Sequence, residues 1–415
     1  MKGLTIAVAI VLAAPAVPTP APAAAGGAVN AVVAWDLNAQ TAIWDVAGQQ
    51  PNVQGRSFAM VNGAVYDAVN AIAGTPYQPY LGAPPATGTE SPRSAVATAA
   101  YRVLVSLFPA QQDRLRAQYD QFLATIPDGR SKRGGIAVGG RAAAQMIAAR
   151  TGDGANGPQT WVVGTEPGQW RPTPPLFGSD SAWSGHVRPF FLPGPSTFGT
   201  PGPPALASRA YARDLNEVKA VGAAASTVRT PDQTDAAIWW HDRRSTGWEI
   251  KRQLATTQRL SLPQTARMFA MVDIAGADAA IACFTAKELW SFWRPVTAIQ
   301  LAGTDGNPGT VADPTWMPLL ITPPFPEYTS GHACGTSARM SAFRAFFGRD
   351  DLSFSAYSVD TGTTRRFASF SQALTELIHA RVWGGVHFRT ADVDGARLGE
   401  QVTTYLTDHY FRPRR

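Results

Sequence analysis

Three groups of residues in the last third of the 415-residue chain have types and spacings suited to gripping a small oxyanion and moving its protons. The first is Lys287-Glu288-Leu289-Trp290-Ser291-Phe292-Trp293-Arg294-Pro295. On a helix, seven residues return to nearly the same face after two turns, so this spacing aims Lys287 and Arg294 at one anion. Pro295 then stops or bends that helix just past the arginine. The second is Phe325-Pro326-Glu327-Tyr328-Thr329-Ser330-Gly331-His332-Ala333, which runs into an Ala-rich helical stretch. Ser330 suits an N-cap, Gly331 lets its amide approach closely, and the start of a helix offers free N–H groups and the positive end of a dipole. His332 beside them can transfer protons near neutral pH, which Lys and Arg cannot. The third is Ala380-Arg381-Val382-Trp383-Gly384-Gly385-Val386-His387-Phe388-Arg389. A straight helix would put Arg381 and His387 on different faces, so Gly384-Gly385 is expected to break it and turn His387 inward.

Singly, each group also describes a solvated helix face or a core histidine with satisfied hydrogen bonds. Their co-occurrence carries the argument. Ser184-Gly185-His186 repeats the second motif's tripeptide in a Trp/Pro-rich loop with no helix after it, and is given no catalytic role.

The elements that must position these residues read as all-α. Helical periodicity marks 57–72, 93–108, 110–126, 133–151, 205–224, 231–257, 262–293, 330–347, 366–383 and 392–409, and strand signals are nearly absent. Residues 152–204 are rich in Gly, Pro, Trp and Ser without a helical or strand pattern, and are too long for a plain connector, so they are expected to cap helices or wall a pocket. The segment from Ala59 to Ala71 aligns without gaps to Ala270–Ala282 with seven of thirteen identities. Either two related four-helix bundles arose by duplication, or two Ala-rich helices coincide. The organisation read from the chain is a signal peptide at 1–25, then one helical domain over 30–415. That domain divides into N-terminal helices to 151, the irregular segment to 204, and a site-bearing part beyond.

Composition narrows the function classes. The net charge of +6 comes from scattered basic residues with no aromatic-interleaved run, which argues against nucleic acid. Lys2, the apolar run Leu4–Ala14 and the small residues Ala23–Ala25 resemble a secretory signal, which implies export to the periplasm or medium. Beyond it no uninterrupted apolar run reaches membrane-spanning length. Cys283 and Cys334 are too few for a disulfide framework; one bond or two buried thiols are both open. The oligomeric state is open as well.

Lys, six residues, Arg-Pro, then Ser-Gly-His, then Arg, five residues, His resembles the signature shared by vanadium-dependent haloperoxidases and the type 2 phosphatidic acid phosphatase superfamily. Trp293–Ile299, Gly384–Arg389 and Met60–Ala68 further resemble bacterial haloperoxidase-like members. The resemblance implies that His387 is the axial ligand of vanadate, or the nucleophile towards phosphate. It implies that Lys287, Arg294, Ser330, the Gly331 amide and Arg381 hold the equatorial oxygens, and that His332 is the acid–base. Phe325 is similar to the residue fungal chloroperoxidases carry there, and Trp290 is a further pocket candidate. Where the family has an aspartate four residues past the axial histidine this chain has Ala391, so Asp392 is the nearer candidate for orienting His387.

Three functions fit such a cage. The first is a vanadate-dependent haloperoxidase, taking hydrogen peroxide, a halide and a small organic acceptor. The second is a soluble exported acid phosphatase, acting on a phosphomonoester through a phosphohistidine. The third is a non-catalytic phosphate- or vanadate-binding protein. The helical N-terminal half and the aromatic residues around the site, which would shield it from water, favour the peroxidase; His332 is superfluous to a mere binder.

Overall fold

The computed structural model describes residues 30–242 and 245–414, so the expected signal peptide lies outside the described residues. The first half holds α1 (Ala31–Gln40), α2 (Pro51–Ile72), α3 (Pro92–Leu107), α4 (Gln112–Ala124) and α5 (Arg130–Arg150). After the irregular segment come α6 (Arg209–Val221), α7 (Pro231–Trp239), α8 (Ile250–Thr257), α9 (Leu262–Trp290), α10 (Pro295–Gln300), α11 (Gly331–Phe347), α12 (Phe370–Trp383) and α13 (Arg389–His409). Helix starts follow local chemistry: Pro opens α2, α3, α7 and α10, and Ser261 with Gln264 forms a capping box at α9. The expected helix over 231–257 is two helices, α7 and α8, because the chain turns after Trp239 to bury that residue and Trp240 edge to face, ring centres 5.0 Å apart. Among the described residues the near-absence of strands has one exception, a short antiparallel hairpin of β1 (Phe354–Tyr357) and β2 (Thr364–Phe367).

Alanine and glycine let the helices close up. A Cβ on Gly139 of α5 would lie 2.3 Å from the Ala95 carbonyl oxygen of α3, so only glycine allows this approach. α2, α3 and α5 form one bundle, α9, α11, α12 and α13 another, and α2 packs along α9 between them. α9 is long and apolar enough to cross a membrane, yet it is almost wholly buried by its neighbours, as a core helix is.

The sequence repeat has a structural counterpart at that junction. Asp67 and Asp278 occupy equivalent positions of the alignment, and both are buried. Asp67 accepts from the backbone N–H groups of Tyr80 (2.7 Å), Leu81 (2.9 Å) and Gly82 (3.4 Å). Asp278 accepts from Phe190 (2.6 Å), Phe191 (2.9 Å) and Leu192 (3.0 Å). Asn62 and Asp273, also equivalent, touch each other directly, with the Asn62 amide donating at 2.6 Å. Two Ala-rich helices alike by coincidence would not need the same triple amide clasp, so duplication explains the pair better.

Candidate active site

The first cluster departs from the expected geometry. α9 ends at Trp290, and Ser291 takes a left-handed conformation (φ 39°). The chain then pairs with the irregular segment through Trp170 N–H to Ser291 O (2.7 Å) and Trp293 N–H to Gly168 O (2.9 Å). Arg294 therefore sits outside α9, as the residue preceding α10, and Pro295 opens that new helix rather than closing the old one. Lys287 and Arg294 still converge, because both pack against the loop before α11: the Phe325 ring lies 5.2 Å from Lys287 Nζ and 5.1 Å from the Arg294 guanidinium.

Lys287 is fully buried and donates to the carbonyls of Pro326 (2.8 Å), Glu327 (3.0 Å) and Thr329 (2.5 Å). These take all three of its protons, so Lys287 contributes charge and pins the loop, rather than a donor directed at an anion. Burial pushes its ammonium down to about 8. Arg294 donates through Nε to Phe325 O (2.8 Å) and through Nη1 to Val386 O (2.9 Å), which leaves Nη2 buried without a partner among the described residues.

α12 stops at Trp383 with Gly384 as its cap, and Gly385 (φ 76°) reverses the chain, as the Gly-Gly pair implied. The tightness is real: a Cβ on Gly385 would meet Gly222 O at 2.4 Å. His387 is thereby buried with its Nε2 3.2 Å from Arg294 Nη1 and its Nδ1 2.9 Å from Glu327 Oε1. A carboxylate on Nδ1 places the ring proton there and leaves the Nε2 lone pair facing the cations. Burial, then the charges of Arg294, Lys287 and Arg381, hold His387 well below the usual imidazole range, so it is neutral.

The orienting group is therefore Glu327, not Asp392. Glu327 Oε1 also accepts from Phe388 N–H at 2.9 Å, and burial, against the pull of Arg294 and Lys287, raises its carboxyl to about 7. Asp392 lies in the first turn of α13, fully buried. Its carboxyl is raised by burial, with the adjacent Ser330 hydroxyl and Arg381 opposing. Arg381 is equally buried, and its Nε, Nη1 and Nη2 all lack a hydrogen-bond acceptor among the described residues.

Ser330 caps α11 as expected, accepting from Ala333 N–H (3.4 Å), and its own N–H is held by Ala391 O (3.0 Å). Gly331 and His332 open the helix, where N–H groups have no intrahelical acceptor. The His332 ring stacks on His241, centres 5.9 Å apart and 15° from parallel. With Phe325, these two histidines line a cavity of about 830 Å³. Trp290 goes elsewhere: its indole N–H donates to Thr200 (3.0 Å), and it lines a separate cleft with Trp161 and Trp183. Sequence reasoning gave Glu327 and His241 no role. Glu327 could have been singled out as a carboxylate five residues before His332 in a loop otherwise facing cations, whereas nothing at the end of α7 advertised His241.

Residues 267–414 match the family described as the VCPO second helical-bundle domain, a span enclosing all three clusters. The chain is similar to the vanadium chloroperoxidase of Curvularia inaequalis, 27% identical over 380 residues, covering 72% of this chain and 61% of that protein's length. It is similar to the first bacterial vanadium-dependent iodoperoxidase structure, with a TM-score of 0.79 at 25% identity over 93% of this chain and 97% of that one. By these likenesses the chain is similar to the vanadium haloperoxidases. A holo-type bacterial vanadium-dependent chloroperoxidase shares the fold, with a TM-score of 0.68 at 20% identity over 88% of this chain and 94% of that one. In this chain the three clusters approach the His387 ring, an arrangement by which one oxyanion could touch them all.

Proposed function

We propose that this protein is a vanadate-dependent haloperoxidase that oxidises halide with hydrogen peroxide. The observation that carries the reading is the set of buried donors, all of Arg381 and Nη2 of Arg294, that lack partners among the described residues beside the neutral imidazole of His387. A buried guanidinium without acceptors costs several kcal/mol, and a tetrahedral oxyanion accepting from it removes that cost. The residues fit vanadate: His387 Nε2 would bind it, Arg294 and Arg381 would make charge-assisted contacts to its oxygens, and Ser330 and the Gly331 amide at the start of α11 would take others. Lys287 adds a third positive charge against Glu327 and Asp392. Vanadate, when bound, supplies the Lewis acid that activates peroxide towards attack by halide.

The chain's own residues do the rest. Glu327 keeps His387 in the tautomer whose Nε2 is available. His332, which lines the cavity, would accept a proton from hydrogen peroxide on its imidazole and give it back as the reaction proceeds. Phe325, packed on Phe284 with ring centres 5.1 Å apart, keeps water away from the cations on one side. The same cage would hold phosphate, as substrate or competitor, because the donors read oxygen geometry and charge rather than the central atom. We also propose, from the Lys2-to-Ala25 pattern, that the protein is exported. The test is halide oxidation by vanadate-loaded protein beside phosphomonoester turnover by vanadate-free protein. Peroxidase activity that millimolar phosphate extinguishes is the expected result. Phosphatase turnover alone, or neither activity with intact anion binding, would replace the reading by the acid phosphatase or the simple binder.

A further inference from the structure

Halide oxidation needs space for peroxide, a halide ion and a few waters, each roughly 30 Å³ on the scale of liquid water. The cavity lined by His332 and Phe325 is far larger, about 830 Å³, within the range of pockets that enclose drug-sized ligands. Several separate segments build it, among them the turn after α1 with Trp44, the irregular segment with Leu176, the loop before α11 with Ile321 and Phe325, the end of α7 with His241, and the β1–β2 turn with Asp360. Leu176 is 72% and Ile321 57% exposed among the described residues, so two aliphatic side chains stand at the cavity wall. Phe325 and the mutually stacked His241 and His332 rings line it as well.

We propose that this cavity binds the organic acceptor itself, a planar aromatic molecule with an apolar body, and that halogen is transferred to it there. The aliphatic rim removes the acceptor's apolar surface from water, and the rings beside His332 hold its plane next to where oxidised halide is released. The transfer balances without a further reagent: the O–X bond of hypohalous acid breaks, a ring carbon–X bond forms, and the ring proton leaves with the hydroxide as water. Only this second step rests on the haloperoxidase reading; binding of the acceptor does not.

The test therefore has two arms. Calorimetric titration of 2-naphthol into the full chain, without peroxide or halide, is expected to show one saturable site. Leu176→Asp and Ile321→Asp should each weaken it at least tenfold. Both side chains are exposed, so neither change threatens folding, and a thermal melt checks this. No saturable binding, or wild-type affinity in both variants, overturns the proposal. In the second arm, vanadate-loaded protein with peroxide and bromide meets free 2-naphthol and 2-naphthol tethered to a cross-linked bead. Reagent hypobromite serves as the reference for the two. The enzyme should favour the free ring at least tenfold more than the reagent does, and an equal preference overturns transfer inside the cavity. Inert enzyme with intact, rim-dependent 2-naphthol binding would instead sink the haloperoxidase reading and leave the acceptor site standing.

Discussion

Glu327 Oε1 holds His387 Nδ1 at 2.9 Å, and this contact leaves the opposite ring nitrogen free to face Arg294. Losing such an orienting partner typically weakens metal binding 10–100-fold. Glu327→Ala should therefore weaken vanadate by about that factor, while Glu327→Gln, whose amide oxygen can still accept from His387 and from Phe388 N–H, should keep most of the affinity. His387→Ala should abolish binding. Calorimetry reads all three, and wild-type affinity in Glu327→Ala would remove the glutamate from its role.

Arg381 links ligand binding to stability, since its guanidinium is buried without acceptors among the described residues. Vanadate at about 100 times its Kd should stabilise the wild type by about 2.7 kcal/mol, a rise of a few degrees in Tm. Arg381→Ala should lose that rise. A vanadate-induced shift as large in the variant as in the wild type would place the anion elsewhere.

The pH dependence of anion affinity should carry the mark of Lys287, whose ammonium burial lowers to about 8. Below that pH the cage holds three cations, and above it two, so affinity should fall by about tenfold per pH unit once Lys287 is neutral. Vanadate titrates too, so the quantity to measure is the ratio of wild-type to Lys287→Met affinity. That ratio should shrink between pH 7 and 9, and a constant ratio would mean that the lysine stays charged.

His332→Ala should behave differently from the cage variants. It should spare vanadate affinity and slow halide oxidation by about 100-fold or more, the usual scale for a lost general acid–base. Steady-state rates beside calorimetric affinities separate the two effects, and a loss confined to affinity would make His332 a ligand instead.

Cys283 and Cys334 are free, buried thiols meeting at one side chain, with the Thr329 hydroxyl 3.2 Å from the first sulfur and 3.4 Å from the second. Against its burial, hydrogen bonds from Cys334 and Thr329 and the charge of Lys287 bring the Cys283 thiol down to about 7. Thiol titration of unreduced protein should find little reaction in the native state and two thiols per chain after denaturation. Fewer than two in a monomer would mean a bond between them.

Much of this protein follows from its sequence alone. Period-3.6 patterning with Pro and Ser at the starts yielded nearly every long helix, because those signals act within a few residues. The same holds for the Ser330 cap and for the break at Gly384-Gly385, each a consequence of local backbone chemistry. The equivalence of Asp67 and Asp278 was visible as a repeat, though not the reason for it, since the amides they clasp lie 13 to 15 residues away in one case and 86 to 88 in the other. Tertiary structure decided what depends on packing between distant segments. It put Arg294 outside α9, because pairing with residues 168–170 ends that helix early. It turned the protons of Lys287 onto loop carbonyls, carried Trp290 to another cleft, and chose Glu327 over Asp392 as the partner of His387. It also brought His241 onto His332, for side-chain direction after a turn is set by the core around Trp239 and Trp240 and not by spacing along the chain.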